Sequence, residues 1–397
     1  QEHQAQLFAL LPAGMLPITN IPEGFSLGAH LAGTLERMDT IAVDLHGDAG
    51  TTLNVNGSVV NAMHPDRMNV DLNVDPFIMG AGTRMLMGAF IPDKTLVPSR
   101  LQVRSAIQGG PNRIKASLDL RSDLGDVVGH SMITGSQKDL PDALEMDVRA
   151  TGVALARILG DTAWRDADVR IQAEARALNT PQRQGWLEVR PTRLMHESAD
   201  LSVAYLRADL TGDSILALVD VESEPLALRL KAAGTWPAKE NDLTADVDLE
   251  VGRADLEVLG LTDHALAIIG DWNGRLAIDT LGQVTFNMNM DSTRLENGTE
   301  QFVFETLDLR WHLGADSTSA SVASDALDLS FNANIGVDTL LVRVKEKGRS
   351  IFTSDTAYHT LPGGRFDLSV DLKRSEWLAG MVLPNLHAIE LQELAAH

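Results

Sequence analysis

Any chemistry in this chain would come from its eleven histidines, its Gly-Ser steps, its close-set carboxylates or its Asn-Gly pairs. A zinc-protease helix needs His-Glu-x-x-His, which puts two ligands and a general base on one face. Here His196-Glu197 runs on into Ser198, Ala199 and Asp200. No two histidines stand at the His-x-His or longer helical spacing that metal ligands use. Gly135-Ser136 lacks the flanking residues of a nucleophile elbow. Gly80-Ala81-Gly82 lacks the third glycine of a dinucleotide loop and the Lys-Ser/Thr of a phosphate loop. Asp44-Leu45-His46-Gly47-Asp48 and Asp246-Val247-Asp248 gather carboxylates as a calcium loop does. That loop also requires Asp-x-Asp-x-Asp-Gly and a later Glu, and strand alternation accounts for these aspartates better. Asn56-Gly57-Ser58 and Asn297-Gly298-Thr299 match the glycosylation sequon. Asn-Gly is also the commonest two-residue hairpin turn, and both are read here as turns. No catalytic residue, metal ligand or cofactor emerges, so the expectation is a protein that is not an enzyme.

Composition narrows the partners. Asp+Glu number 55 against 33 Lys+Arg, a formal net charge of −22. Phosphate binding needs a basic stripe, so nucleic acid is excluded as the expected partner. An anionic membrane surface is excluded as a purely electrostatic target on the same ground. Hydrophobic residues make up 44%, enough to bury a core. There is no cysteine, hence no disulfide, thiolate metal site or cysteine nucleophile. The chain opens on Gln1, as a processed or cut protein would, and Leu7–Pro12 has no basic residues before it to make a signal peptide. The longest apolar stretch, Pro76–Pro92, is short, glycine-rich and interrupted by Arg84, so no membrane-spanning helix is expected.

The elements that would position any site are strands. Val284, Phe286, Met288 and Met290 alternate with Thr285, Asn287 and Asn289. Leu327, Leu329, Phe331, Ala333 and Ile335 alternate with Asp328, Ser330, Asn332 and Asn334. Phe366, Leu368, Val370 and Leu372 alternate with Asp367, Ser369 and Asp371. Met68-Val70-Leu72-Val74, Ile114-Ala116-Leu118-Leu120, Leu144-Met146-Val148 and Leu243-Ala245-Val247-Leu249-Val251 repeat the pattern. Period two means a strand with one dry and one wet face. Parallel α/β sheets would show unbroken apolar runs instead. The fold class is all-β, in antiparallel sheet, and the dry face is the candidate binding surface.

Short helices are expected at Val153–Leu159, stopped by Gly160, at Ala254–Leu259, stopped by Gly260, at Ser375–Met381, and near Phe77–Phe90. Each follows a strand. This recurring strand–helix unit divides the chain into degenerate repeats of approximately 1–110, 111–200, 201–300 and 301–397 within one continuous array.

Three segments carry a family resemblance: Phe25–Leu35 (FSLGAHLAGTL), Leu144–Gly160 (LEMDVRATGVALARILG) and Trp164–Ala173 (WRDADVRIQA). The chain resembles the translocation and assembly module TamB within the AsmA-like group, in its Bacteroidetes-type versions. The resemblance implies an elongated, curved antiparallel sheet forming a U-shaped apolar groove with a polar exterior. It implies a periplasmic location, with an anchor in the inner membrane and reach to the outer membrane, both outside this central fragment. It further implies a conduit for phospholipid, with acyl chains on the apolar face, and assembly work with an outer-membrane β-barrel partner. Met68, Val70, Leu72, Leu118, Leu144, Met146, Val247, Leu249, Val284, Phe286, Met288, Leu327, Leu329, Phe331, Phe366, Leu368 and Val370 would line that groove.

Alternation alone leaves the dry face free to be covered by a second sheet, as in a sandwich or closed barrel. A structural or adhesive β-sandwich array at a cell surface stays open as the alternative function. So does a repetitive β-helical enzyme acting on polysaccharide, although 5% aromatics and two tyrosines offer little for sugar stacking.

Overall fold

In the computed structural model the described residues are mostly strand, every pairing among them is antiparallel, and their helices are few and short. The structure describes residues 25–80, 83–84, 97–135, 141–235, 243–336, 365–374 and the backbone of 394–396, apart from scattered positions inside these ranges. The chain divides into two compact units, Gln1–Asn179 and Thr180–His397, a boundary that falls inside the second of the four sequence repeats.

The first unit is a meander. Its strands are β1 (Phe25–Gly33), β2 (Arg37–Gly47), β3 (Thr51–Val60), β4 (Asn69–Ile78), β5 (Leu101–Gly110), β6 (Arg113–Ser122), β7 (Gly125–Thr134), β8 (Ala143–Ala154) and β9 (Asp166–Arg176). Each pairs with the next in sequence. Two-residue turns set the register where strands meet tightly: Pro111-Asn112 joins Gly110 to Arg113, and Asp123-Leu124 joins Ser122 to Gly125. Pro76 lies within β4, where a proline would remove a ladder bond. The register skips Asp75 and Pro76, so the proline sits in a bulge. Among the described residues of this unit, the buried apolar side chains are only Met79, Ala167 and Ala173.

The second unit contains β10 (Gln184–Arg193), a small ribbon of β11 (Met195–His196) and β12 (Ala199–Asp200), then β13 (Tyr205–Thr211), β14 (Ser214–Glu222), β15 (Leu226–Thr235), β16 (Leu243–Asp255), β17 (Ala267–Ile278) and β18 (Val284–Asn289). After the hairpin β19 (Arg294–Asn297) and β20 (Glu300–Val303) come β21 (Leu307–Leu313), β22 (Thr318–Ser324), β23 (Leu327–Ala333), β24 (Phe366–Leu372) and β25 (Leu394–Ala396). The main sheet runs β10, β13 to β18, then β21 to β25. The β19–β20 hairpin continues one end of β17. Its packed core is a cluster of Leu266, Leu295, Phe302, Phe304 and Ala326, bordered by Leu256, Ile268 and Leu307.

The helix expected at 153–159 is shorter. Val153 and Ala154 finish β8, and α1 is Leu155–Leu159, ended by Gly160 in the left-handed region at φ 68°. The helix expected at Ala254–Leu259 is corrected. Ala254 and Asp255 finish β16, and Leu256–Leu259 form one turn. Asp255 ends that turn's freedom twice, its carbonyl accepting from Leu259 N–H at 3.0 Å and its Oδ1 from Val258 N–H at 3.2 Å. The β16 ladder to Ile268 and Ala267 holds the first two residues extended, so tertiary pairing overrides local propensity. Of the helix expected near Phe77–Phe90, Phe77 and Ile78 belong to β4 and Thr83–Arg84 are helical. Its remainder, and the whole of Ser375–Met381, lie outside the described residues.

The two Asn-Gly pairs part company. Asn297-Gly298 opens the two-residue β19–β20 turn, with Gly298 at φ 56°. Asn56-Gly57 is not a turn; it lies inside β3. Gly57 is there because a Cβ would collide with the Asp71 carbonyl of β4. The strand ends later, at Val60, and the next residue, Asn61, takes φ 58°.

Asp123, in the β6–β7 turn, ties three segments together. It accepts from Ser99 N–H at 2.7 Å, Arg100 N–H at 3.0 Å, Ser99 Oγ at 2.7 Å and Arg157 Nη1 of α1 at 3.1 Å. Hydrogen bonds to the Arg100 backbone and the Ser99 hydroxyl, with Arg157 helping, hold its carboxyl well below the usual carboxylate range. A depressed folded-state pKa contributes stability that is present above the unfolded value of about 4 and is lost as pH falls below it. We therefore expect acid to lower the melting temperature of the parent chain below about pH 4, and Asp123→Asn to flatten that decline. Parallel acid profiles for the two proteins would show that Asp123 contributes nothing there.

Candidate functional site: an apolar face on each sheet

Directly paired residues of an antiparallel sheet project to the same side. In the first unit one such row is Leu31, Ile41, Gly57, Leu72, Ile107, Ala116, Ser131, Met146 and Ala173. The adjoining row is Ala29, Val43, Val55, Val74, Ser105, Leu118, Gly129, Val148 and Ile171. Val70 and Leu144 stand in a third, joined through Gly109, Ile114 and Ile133. Met68 is half-buried and immediately precedes β4.

The second unit builds the same surface. One row is Gly185, Leu210, Ile215, Gly234, Ala245, Leu276, Phe286, Trp311, Ala320, Phe331 and Leu368. The next is Leu187, Ala208, Ala217, Ala232, Val247, Gly274, Met288, Leu309, Val322, Leu329 and Val370. Leu249 stands between Leu230 and Trp272, and Val284 between Ile278 and Leu313. Leu327 opposes Leu372, and the backbone of Phe366 pairs with Ala333.

The four full rows contain no charged residue. Their polar members are Ser105 and Ser131. Trp272, the most polar large side chain nearby, has its indole N–H satisfied by Thr293 Oγ1 at 2.9 Å. Charges occupy the opposite face. Arg229 reaches Asp220, Glu222 and Glu250 at 3.5–3.7 Å, and Arg170 pairs with Asp147 at 2.6 Å. Arg207 pairs with Asp209 at 2.8 Å while its guanidinium lies 5.6 Å from the Trp186 ring. Exposed pairs contribute little stability each, about 0–1 kcal/mol. What they do is keep that face wet and fix which side is dry. The Arg170 guanidinium holds the Asp147 carboxyl below its usual range, and Arg207 does the same for Asp209.

Among the described residues, the closest contacts between elements in each unit are those of strands paired edge to edge, with α1 against β9. Several dry side chains remain part-exposed. Leu31 is 59% exposed, Ile107 46%, Trp311 43% and Leu118 36%. In the second unit Val247 and Met288 are buried. At about 4.8 Å per strand and 6.7 Å per alternate residue, three rows across the first unit make a patch of roughly 40 by 14 Å. That footprint, about 560 Å², is at the upper end of the largest apolar patch an ordinary soluble monomer carries.

The registry adds residues that sequence reading passed over. Trp311 and Trp272 belong to the apolar face. LDLRWHL carried the alternation for Trp311, whereas glycines at 270 and 274 interrupted it around Trp272. Ile215, Ala217 and Val219 were hidden in the unbroken apolar run ILALV. No cluster of carboxylates or histidines among the described residues could hold a metal ion, and none of their helices is long and apolar enough to cross a membrane.

No protein-family model, curated protein or solved structure matches the chain.

Proposed function

We propose that this chain is a lipid-handling wall, a central part of a periplasmic conduit that carries phospholipid between inner and outer membranes. The observation that carries this reading is the row-by-row apolar face, free of charge and part-exposed at Leu31, Ile107, Leu118 and Trp311. A buried methylene contributes about 0.8 kcal/mol, so an acyl chain binds such a surface without a polar ligand. That accounts for a chain whose residues show no reactive motif yet keep a strict dry side through many strands. Membrane anchorage and contact with an outer-membrane β-barrel assembly protein belong to the same proposal. They rest on the family resemblance, and no catalytic role is assigned.

A photoreactive amino acid tests the reading site by site. Placed at Leu368 it sits in the apolar row; placed at Ser369 it sits on the opposite side of the same strand. Irradiation in cells should attach phospholipid at 368 and not at 369. Equal labelling at both, or none at 368, removes the conduit reading in favour of a structural one.

A further inference from the structure

We propose that acyl chains lie along the strands of the second unit with their methyl ends toward the Phe302–Phe304 cluster and their carboxyl ends toward the opposite ends of β17, β18 and β21; this rests on the lipid-binding reading above. The two ends of that apolar face differ. At one end Ile268, of the same alternation as Leu276 on β17, pairs with Leu295, which pairs with Phe302. These join Leu266, Phe304 and Ala326 in the packed core. Phe302 and Phe304 meet edge to face, with ring centres 5.0 Å apart. Outside them the Arg374 guanidinium lies 4.4 Å from the Phe302 ring and binds Asp325 at 2.7 Å.

That end is therefore apolar inside and closed by an ion pair. A headgroup placed there would have to displace packed phenylalanines and lose its water without hydrogen bonds in return. A chain terminus asks for nothing but apolar contact. At the other end the face runs out on half-buried Ile278, Val284 and Leu313, beside Asp279, whose N–H donates to the Gln283 carbonyl at 3.0 Å. From Ile278 to Trp272 is six residues, about 20 Å of strand. One leaflet holds about 15 Å of hydrocarbon, half of a core of about 30 Å. A chain entering at the Ile278 end thus ends about 5 Å short of the level of Trp272, before the cluster and well past the level of Leu276.

Two tryptophans mark the depth. Trp311 pairs with Phe286 at the level of Leu276, four residues short of Trp272, a separation of about 13 Å. The test uses two variants of the whole chain in which every tryptophan but Trp272, or every one but Trp311, becomes phenylalanine. Each is loaded with phosphatidylcholine brominated near the methyl end or near the carboxyl end of its chains. Methyl-end bromine should cause the larger loss of emission from Trp272, and carboxyl-end bromine the larger loss from Trp311. The reverse order, or equal losses for both lipids, overturns the orientation while leaving lipid binding intact. No quenching of either tryptophan by either lipid overturns the lipid-binding reading itself.

Discussion

Phe331→Asp should cut phospholipid crosslinking by about tenfold or more in the chain as it works in the cell, and Leu368→Arg should do the same, whereas Asn332→Asp should not. Phe331 and Leu368 pair directly in the apolar row. Asn332 lies between Phe331 and Ala333 on β23, on the opposite side, and is exposed. With the face empty, a carboxylate at half-exposed position 331 keeps much of its water, so the fold loses little. With an acyl chain laid over it the carboxylate must be dehydrated without a partner, which costs several kcal/mol. Every 1.4 kcal/mol is tenfold in occupancy. Circular dichroism and denaturant midpoints close to the parent would establish that the variants fold. Folded Phe331→Asp and Leu368→Arg proteins that capture and move lipid as the parent does would leave the chain a structural scaffold.

The second large effect is on stability, and it separates a closed core from an open face. Phe302 is buried against Phe304, Leu295 and Arg374. Phe302→Ala should destabilise the protein by about 3–5 kcal/mol, the cost of lost burial plus the cavity left behind. Leu118 carries an apolar side chain of comparable role in the pattern, but it is 36% exposed. Leu118→Ala should cost only about 1 kcal/mol, a fraction of the roughly 1.5–3 kcal/mol that full burial of a leucine contributes. Urea unfolding measures both. A Leu118→Ala cost as large as that of Phe302→Ala would mean that the first unit's dry face is covered in solution by protein.

Strand identity and the choice of dry face were local properties of this chain. Asn69–Ile78 reads NVDLNVDPFI, and its side chains up to Asp75 alternate between exposed and half-buried in that same order. Period-two geometry puts every second residue on one side whatever the neighbouring strand does, so Val70, Leu72, Phe286, Met288, Leu329 and Phe331 could be assigned a side from their own segments. Other features depended on partners distant in sequence. The dipeptide Asn-Gly turns the chain at 297–298 and runs straight through β3 at 56–57. The difference lies in the flanking segments: Asn56 faces β4 at Asn73, with ladder bonds continuing on both sides, while Asn297 has only Glu300 across a two-residue loop. Ala254-Asp255 has a helical composition and stays extended because β17 holds it there. Trp272 joins the apolar face through its pairing with Leu249, a contact that no window of sequence around glycines 270 and 274 contains. Whether a dry face is closed or bare was a tertiary matter throughout. The same apolar alternation ends in a packed core where the β19–β20 hairpin and the 256–266 connection fold onto Ile268, and it stays half-exposed at Leu118 and Trp311, because burial requires a second surface and period two specifies only one.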